Sequence, residues 1–133
     1  YYLNTGSPHY VTSVDHLNEL DVFSEGRKIR YNDRFREHGT NVNFIEKLED
    51  GLHVRTYERG VENETYSCGT GVTACALVAA LKGWADNKHM CKVKTPGGDL
   101  EVKFDRVLDK NFYNIWLKGK VEFVFEGEIE LRS

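Results

Sequence analysis

The chain has 133 residues, 40% of them hydrophobic and 29% charged, with a formal net charge of -3. That length suits one domain with a single core, and the balance excludes a disordered chain. The acidic excess argues against a nucleic-acid partner and no apolar run reaches a membrane span, so a cytoplasmic location is the default expectation. In chain order, "PHYVTSV" (8–14) has the β-branched and aromatic content of a strand. "DVFSEGRKIRYN" (21–32) predicts an amphipathic helix with Val22, Phe23 and Ile29 on one face, weakened by Gly26. "NVNFIEKL" (41–48) and "LHVRTYE" (52–58) alternate apolar and polar residues around Asp50-Gly51, a hairpin signal. Beyond a second helix come strand patterns at 90–95, 99–105, 111–119 and 121–131, broken by "PGGD" (96–99) and "DKN" (109–111).

The second helix is unusual in composition. No charged residue occurs from Cys68 to Leu81, and a helix apolar on every side is normally enclosed. Many antiparallel strands with one such helix predict an α+β fold, a strongly curved, barrel-like sheet wrapped around it. Alanines at 74, 76, 79 and 80 let sheet side chains approach the helix axis. The charged helix at 21–32 belongs outside.

Cys68, Cys75 and Cys91 are an odd, scattered set without CxxC spacing, which argues against a disulfide framework and against a zinc site. His89 lies two residues before Cys91 but lacks a second ligand pair, so no metal is expected. Cys68 stands apart because Gly69, Thr70 and Gly71 follow it and open the helix. Glycine freedom there would let successive amides turn towards one point, adding to the unpaired N–H groups of the helix end. Such a place binds an anion, a carboxylate or a phosphate, and the same field favours a thiolate at Cys68. Glu58 can exchange a proton with that sulfur if the fold brings the two together. Arg59 can pair with a substrate carboxylate or hold Glu58.

Each feature has a plainer reading: a small semi-buried cysteine, an ordinary turn, a solvated ion pair. Their conjunction within the 14 residues from Glu58 to Gly71 favours chemistry. Cys75 lies about 10.5 Å further along the helix at a rise of about 1.5 Å per residue and is expected in the core. Cys91 is expected to be structural. The other histidines, His16, His38, His53 and His89, form no arrangement that argues for a role. His9 and Asn41, on their own, would pass for an exposed turn residue and a strand-edge residue.

"YERGVENETYSCGTGVTACALVAA" (57–80) closely resembles the C-terminal signature of diaminopimelate epimerases, cofactor-independent amino-acid epimerases. "NTGSPHYV" (4–11) and "NVNFIE" (41–46) resemble two further motifs of that family, in the same order. The resemblance implies two similar halves, each a mixed sheet curled around a central helix, with the site in the cleft between them. Each half would supply one cysteine, one thiolate taking the α-proton while the opposing thiol delivers another to the opposite face.

On that basis residues 1–133 are the C-terminal half, and the N-terminal half is absent. The start at Tyr1 suggests an excised piece. The resemblance makes Cys68 the base or acid, Glu58 its hydrogen-bonding partner, and His9 the residue that assists the other half's cysteine. Asn41, Glu58 and Arg59 match substrate-contacting positions, and Gly69 and Thr70 match the turn that holds the reacting carboxylate. Ser7 stands where many members have Asn, and its hydroxyl can still make a hydrogen bond to substrate.

The expected partners are diaminopimelate and the missing half, with no cofactor, and exposed apolar surface would permit a homodimer. Lysine and peptidoglycan precursor synthesis is the implied pathway. Competing readings are a proline or hydroxyproline racemase, a cysteine hydrolase needing a His–Asp or His–Asn set, and a non-catalytic anion-binding domain.

Overall fold

The computed structural model describes residues 1–85, 89–107 and 110–133. The alternating segments of the first half become β2 (Pro8–Ser13), β3 (Asn41–Leu48) and β4 (Gly51–Glu58), preceded by β1 (Tyr2–Asn4). A short β5 (Asn63–Thr65) follows and pairs with β4. The second half supplies β6 (Met90–Thr95), β7 (Gly98–Val107) and β8 (Asn111–Gly119). They form one curled sheet in the order β1-β2-β3-β4-β6-β7-β8. The β2–β3 and β4–β6 pairs are parallel and the rest antiparallel, so the sheet is mixed but mostly antiparallel, as expected.

The uncharged run is α2 (Gly69–Leu81), lying inside the curl with Gly71, Val72 and residues 74–80 buried. It packs on Val11, Ile45, Val54, Cys91, Val102 and Phe104. Burying Val72, Leu77 and Val78 stabilises the core by roughly 1.5–3 kcal/mol each relative to exposure. The amphipathic helix is α1 (Val22–Arg30), shorter than predicted at its C-terminal end. Asp21 caps it, accepting a hydrogen bond from the Ser24 amide at 3.0 Å. α1 covers the outer face over Leu17, Val42, Phe44 and Tyr57. Phe23, expected on the buried side, is exposed. Gly26 proves to be the contact point: a Cβ there would stand 2.4 Å from Cβ of Tyr57. The residue that lowers helix propensity is the one that lets α1 reach the sheet.

Three expectations need correction. The β3–β4 hairpin turns on Glu49 and Asp50, with Leu48 paired to Gly51; Gly51 is the first residue of β4 and adopts φ 106°. Polar positions in the first half of β3 do not face solvent, because α1 covers one face and α2 the other: Asn41 and Asn43 are both buried, and exposure returns only at Lys47. The alternating run 121–131 forms no strand: residues 120–133 join no ladder among the described residues, and Val121, Phe123, Phe125 and Ile129 are at least 80% exposed. An alternating pattern supplies a strand face but not the edge it needs for hydrogen bonding. The break predicted at 109–111 begins at Asp109, which lies outside the described residues.

Candidate active site at the mouth of the buried helix

Cys68 occupies the position before α2, with extended backbone (φ -127°, ψ 109°) and a half-buried side chain. The first intrahelical bond runs from the Val72 amide to the Cys68 carbonyl at 2.8 Å. The amides of Gly69, Thr70 and Gly71 precede it, and the Cys68 side chain caps none of them. Donors for an anion therefore remain at the helix end. The glycines do not serve as expected, since neither Gly69 nor Gly71 has positive φ. Gly71 is required by space: a Cβ would stand 2.5 Å from Oδ1 of Asn43 and 3.2 Å from Cε1 of His9. A Cβ on Gly69 would meet Cδ2 of Leu117 at 3.1 Å.

Thr70 joins the helix mouth to the sheet. Its Oγ1 lies 3.6 Å from Sγ of Cys68, 2.9 Å from Nε2 of His9 and 3.1 Å from Oγ of Ser7. Thr5 Oγ1 donates to the Thr70 carbonyl at 2.7 Å, fixing the segment before β2 against the turn. Ser7 Oγ is also 3.0 Å from Nε2 of His9 and accepts from Nδ2 of Asn41 at 3.3 Å. His9 is not a turn residue but lies on the inner face of β2, fully buried.

The resemblance-derived substrate residues are placed as follows. The amide of Asn41 donates to the Pro8 carbonyl at 3.0 Å and its oxygen accepts from the Arg59 amide at 2.8 Å, so Asn41 clamps the start of β2 to the end of β4. Arg59 is exposed, and its guanidinium donates to the His38 carbonyl at 3.0 Å. The Glu58 carboxylate accepts from Oγ1 of Thr65, at the end of β5, at 2.8 Å. Among the described residues no hydrogen bond joins Glu58 to Cys68; Thr65 holds the carboxylate near the lead-in to the cysteine. Arg55 anchors β5 from the other face, donating to both carboxylate oxygens of Glu64 at 2.7 and 2.8 Å.

Two site residues were not picked out from the sequence. Asn43 and Thr56 face each other across β3 and β4 and sit on the inner side beside His9. The available signal was parity: Asn43 shares a strand face with Ile45, and Thr56 with Val54, which makes them polar residues on apolar faces. Among the described residues no group of three or more His, Cys, Asp or Glu side chains could hold a metal. No helix among them is long and apolar enough to cross a membrane.

Burial lowers the His9 pKa from the ordinary 6.5 to about 4, and the Arg59 charge acts in the same direction. The unfolded chain therefore takes up this proton before the folded one as pH falls. The stabilisation from neutral His9 is complete above pH 6.5 and disappears as pH falls towards about 4. Urea unfolding of the chain and of His9→Asn across that range should differ in pH slope, the difference amounting to about 3 kcal/mol at most. Identical slopes would remove His9 as a source of acid sensitivity.

The family model described as diaminopimelate epimerase matches residues 1–124. The chain belongs to the diaminopimelate epimerase family. Diaminopimelate epimerase of Flavobacterium psychrophilum is 47% identical over 129 residues, covering 96% of this chain and 50% of that protein. The Aquifex aeolicus enzyme is 43% identical over 129 residues, covering 96% of this chain and 45% of its own length. This chain thus spans about half the length of these curated epimerases, which are isomerases by name. A crystal structure of a phenazine biosynthesis protein of the PhzF family from Bacillus anthracis has a TM-score of 0.58 at 19% identity, covering 82% of this chain and 34% of that one. At that identity the likeness concerns the fold, the curled mixed sheet around a helix that this chain displays.

Proposed function

We propose that this chain is the C-terminal catalytic half of an enzyme interconverting LL- and meso-diaminopimelate by proton transfer, with Cys68 serving one face of the α-carbon. The observation that carries the reading is the half-buried sulfur of Cys68 beside unpaired amides at the mouth of α2. A carboxylate held on those amides would set its α-carbon near the sulfur, and the field of the helix end stabilises negative charge developing there. The thiolate takes the α-proton, or the thiol returns one, and no cofactor is needed for either step.

Inversion needs an acid and a base on opposite faces. Neither remaining cysteine can be the second: Cys75 and Cys91 are fully buried, and burial pushes the Cys75 thiol well above its ordinary range. The second thiol then comes from an N-terminal half absent from this chain. In this reading Glu58 partners Cys68, Arg59 and Asn41 contact or frame the distal end of the substrate, and Ser7, Gly69 and Thr70 frame the reacting carboxylate. His9 serves the opposing cysteine. The exposed apolar side chains of the alternating run 121–131 are in keeping with surface that the other half, or a second copy in a homodimer, would cover. Free buried thiols accord with a reducing cytoplasm, and the product would feed lysine and peptidoglycan precursor synthesis.

The test uses the 133-residue chain and its full-length parent side by side in deuterated water. The parent is expected to invert diaminopimelate with deuterium entering the α-carbon, and the chain alone to give no measurable inversion. Turnover by the isolated chain would refute the division of the site into halves.

A further inference from the structure

The row formed by Thr56, Asn43 and His9 has a single consistent direction of hydrogen bonding. Nδ2 of Asn43 donates to the Tyr10 carbonyl at 3.1 Å, which fixes which end of the amide is nitrogen. The same nitrogen lies 3.0 Å from Nδ1 of His9, and the Asn43 oxygen accepts from Oγ1 of Thr56 at 2.9 Å. An amide nitrogen only donates, so Nδ1 of His9 must accept and its single proton resides on Nε2. An amide oxygen at that place would favour an imidazolium; the nitrogen opposes one.

The direction continues outward. Nε2–H of His9 points at Oγ1 of Thr70 and Oγ of Ser7. Ser7 accepts from Asn41, which leaves its own hydrogen for Thr70. With both lone pairs engaged by His9 and Ser7, the Thr70 hydroxyl has its hydrogen left for Sγ of Cys68 at 3.6 Å.

We propose that Asn43 is a positioning residue: it holds His9 as the neutral Nε2–H tautomer, and His9, besides the service to the opposing cysteine given above, directs the Thr70 hydroxyl hydrogen to the sulfur of Cys68. The sulfur is then the terminal acceptor of two converging chains, one from Thr56 through Asn43 and His9, the other from Asn41 through Ser7. All members of the inner row are buried, so water does not compete with the ordering. Arg59 is the charge that reaches His9, and Cys68, just before α2, is the titratable group linked to it through Thr70. The kinetic part of the inference rests on Cys68 being the proton carrier; the tautomer does not.

The experiment is nitrogen NMR of the histidine-labelled chain, with kinetics on the full-length parent. The wild-type His9 ring should show an unprotonated Nδ1 and a protonated Nε2 from pH 5.5 to 8. Asn43→Asp, whose carboxylate can only accept at neutral pH, should move the proton to Nδ1 or bring an imidazolium titration into that range. The parent carrying Asn43→Asp should lose about 10–100-fold in kcat, consistent with a loss of general acid–base organisation, and its pH–rate profile should shift. Thr56→Val is the comparison, removing a donor to Asn43 while leaving the His9 tautomer unchanged. A wild-type ring protonated on Nδ1, or an Asn43→Asp ring indistinguishable from wild type, would overturn the proposal. The wild-type spectrum alone decides the tautomer if Asn43→Asp does not fold. Should the tautomer be as expected while Cys68→Ala still inverts, the placement of Asn43 stands and the proton-carrier reading fails.

Discussion

Cys68→Ala in the full-length parent is expected to reduce inversion of diaminopimelate by at least about 10³-fold, in the range seen when a positioned acid or base is removed. The expected pattern is more informative than the loss. With the other half's thiolate intact, one stereoisomer should still exchange its α-hydrogen for deuterium without inverting, whereas the stereoisomer facing position 68 should not exchange. Chiral chromatography with mass detection separates these outcomes. Misfolding is an unpromising explanation for such a result, because the Cys68 side chain is half-exposed and makes no capping hydrogen bond. Its removal should therefore change stability by no more than about 0.5 kcal/mol, as for ordinary surface substitutions. Unchanged inversion in the variant removes Cys68 from the chemistry.

The prominence of Cys68 was legible because composition and position agree there. An uncharged run of this length must be enclosed, and the residue that opens it stands where enclosed helix meets surface. The inner-face network was not legible for a related reason. Alternation in "NVNFIEKL" implies one wet face, but α1 and α2 cover opposite faces of β3, so Asn41 and Asn43 are buried too. Whether Asn43 faces solvent or core depends on what lies over the strand, and that is set by α1, whose Gly26 approach to Tyr57 is a tertiary fact. The short β1 and β5 show no periodicity because three residues are too few to express one. The run at 121–131 failed in the opposite way, carrying the pattern of a strand without a partner edge among the described residues.

In sequence the glycines of the Cys-Gly-Thr-Gly turn suggest backbone freedom, but Gly71 has a different task with a large expected consequence. Its φ is ordinary, so alanine at 71 meets no conformational penalty and is the better helix former. By propensity alone, Gly71→Ala should stabilise α2 by about 1 kcal/mol. Packing reverses the sign. The new methyl would stand 2.5 Å from Oδ1 of Asn43, a side chain held at both ends by Thr56, Tyr10 and His9. Either α2 withdraws from the sheet or Asn43 rotates and leaves buried groups unpaired, which costs about 1–3 kcal/mol. The net expectation is a loss of up to about 2 kcal/mol in urea unfolding, with propensity offsetting part of the overlap. Activity of the parent should fall further than stability, by about 10²-fold, because a displacement of Thr70 by about 1 Å misplaces the hydroxyl and amides that, in the function proposed above, frame the reacting carboxylate. A stabilised Gly71→Ala chain with full parental activity would show that the contact between helix mouth and inner row is looser than the distances imply, and the coupling of Asn43 to Cys68 would fall with it.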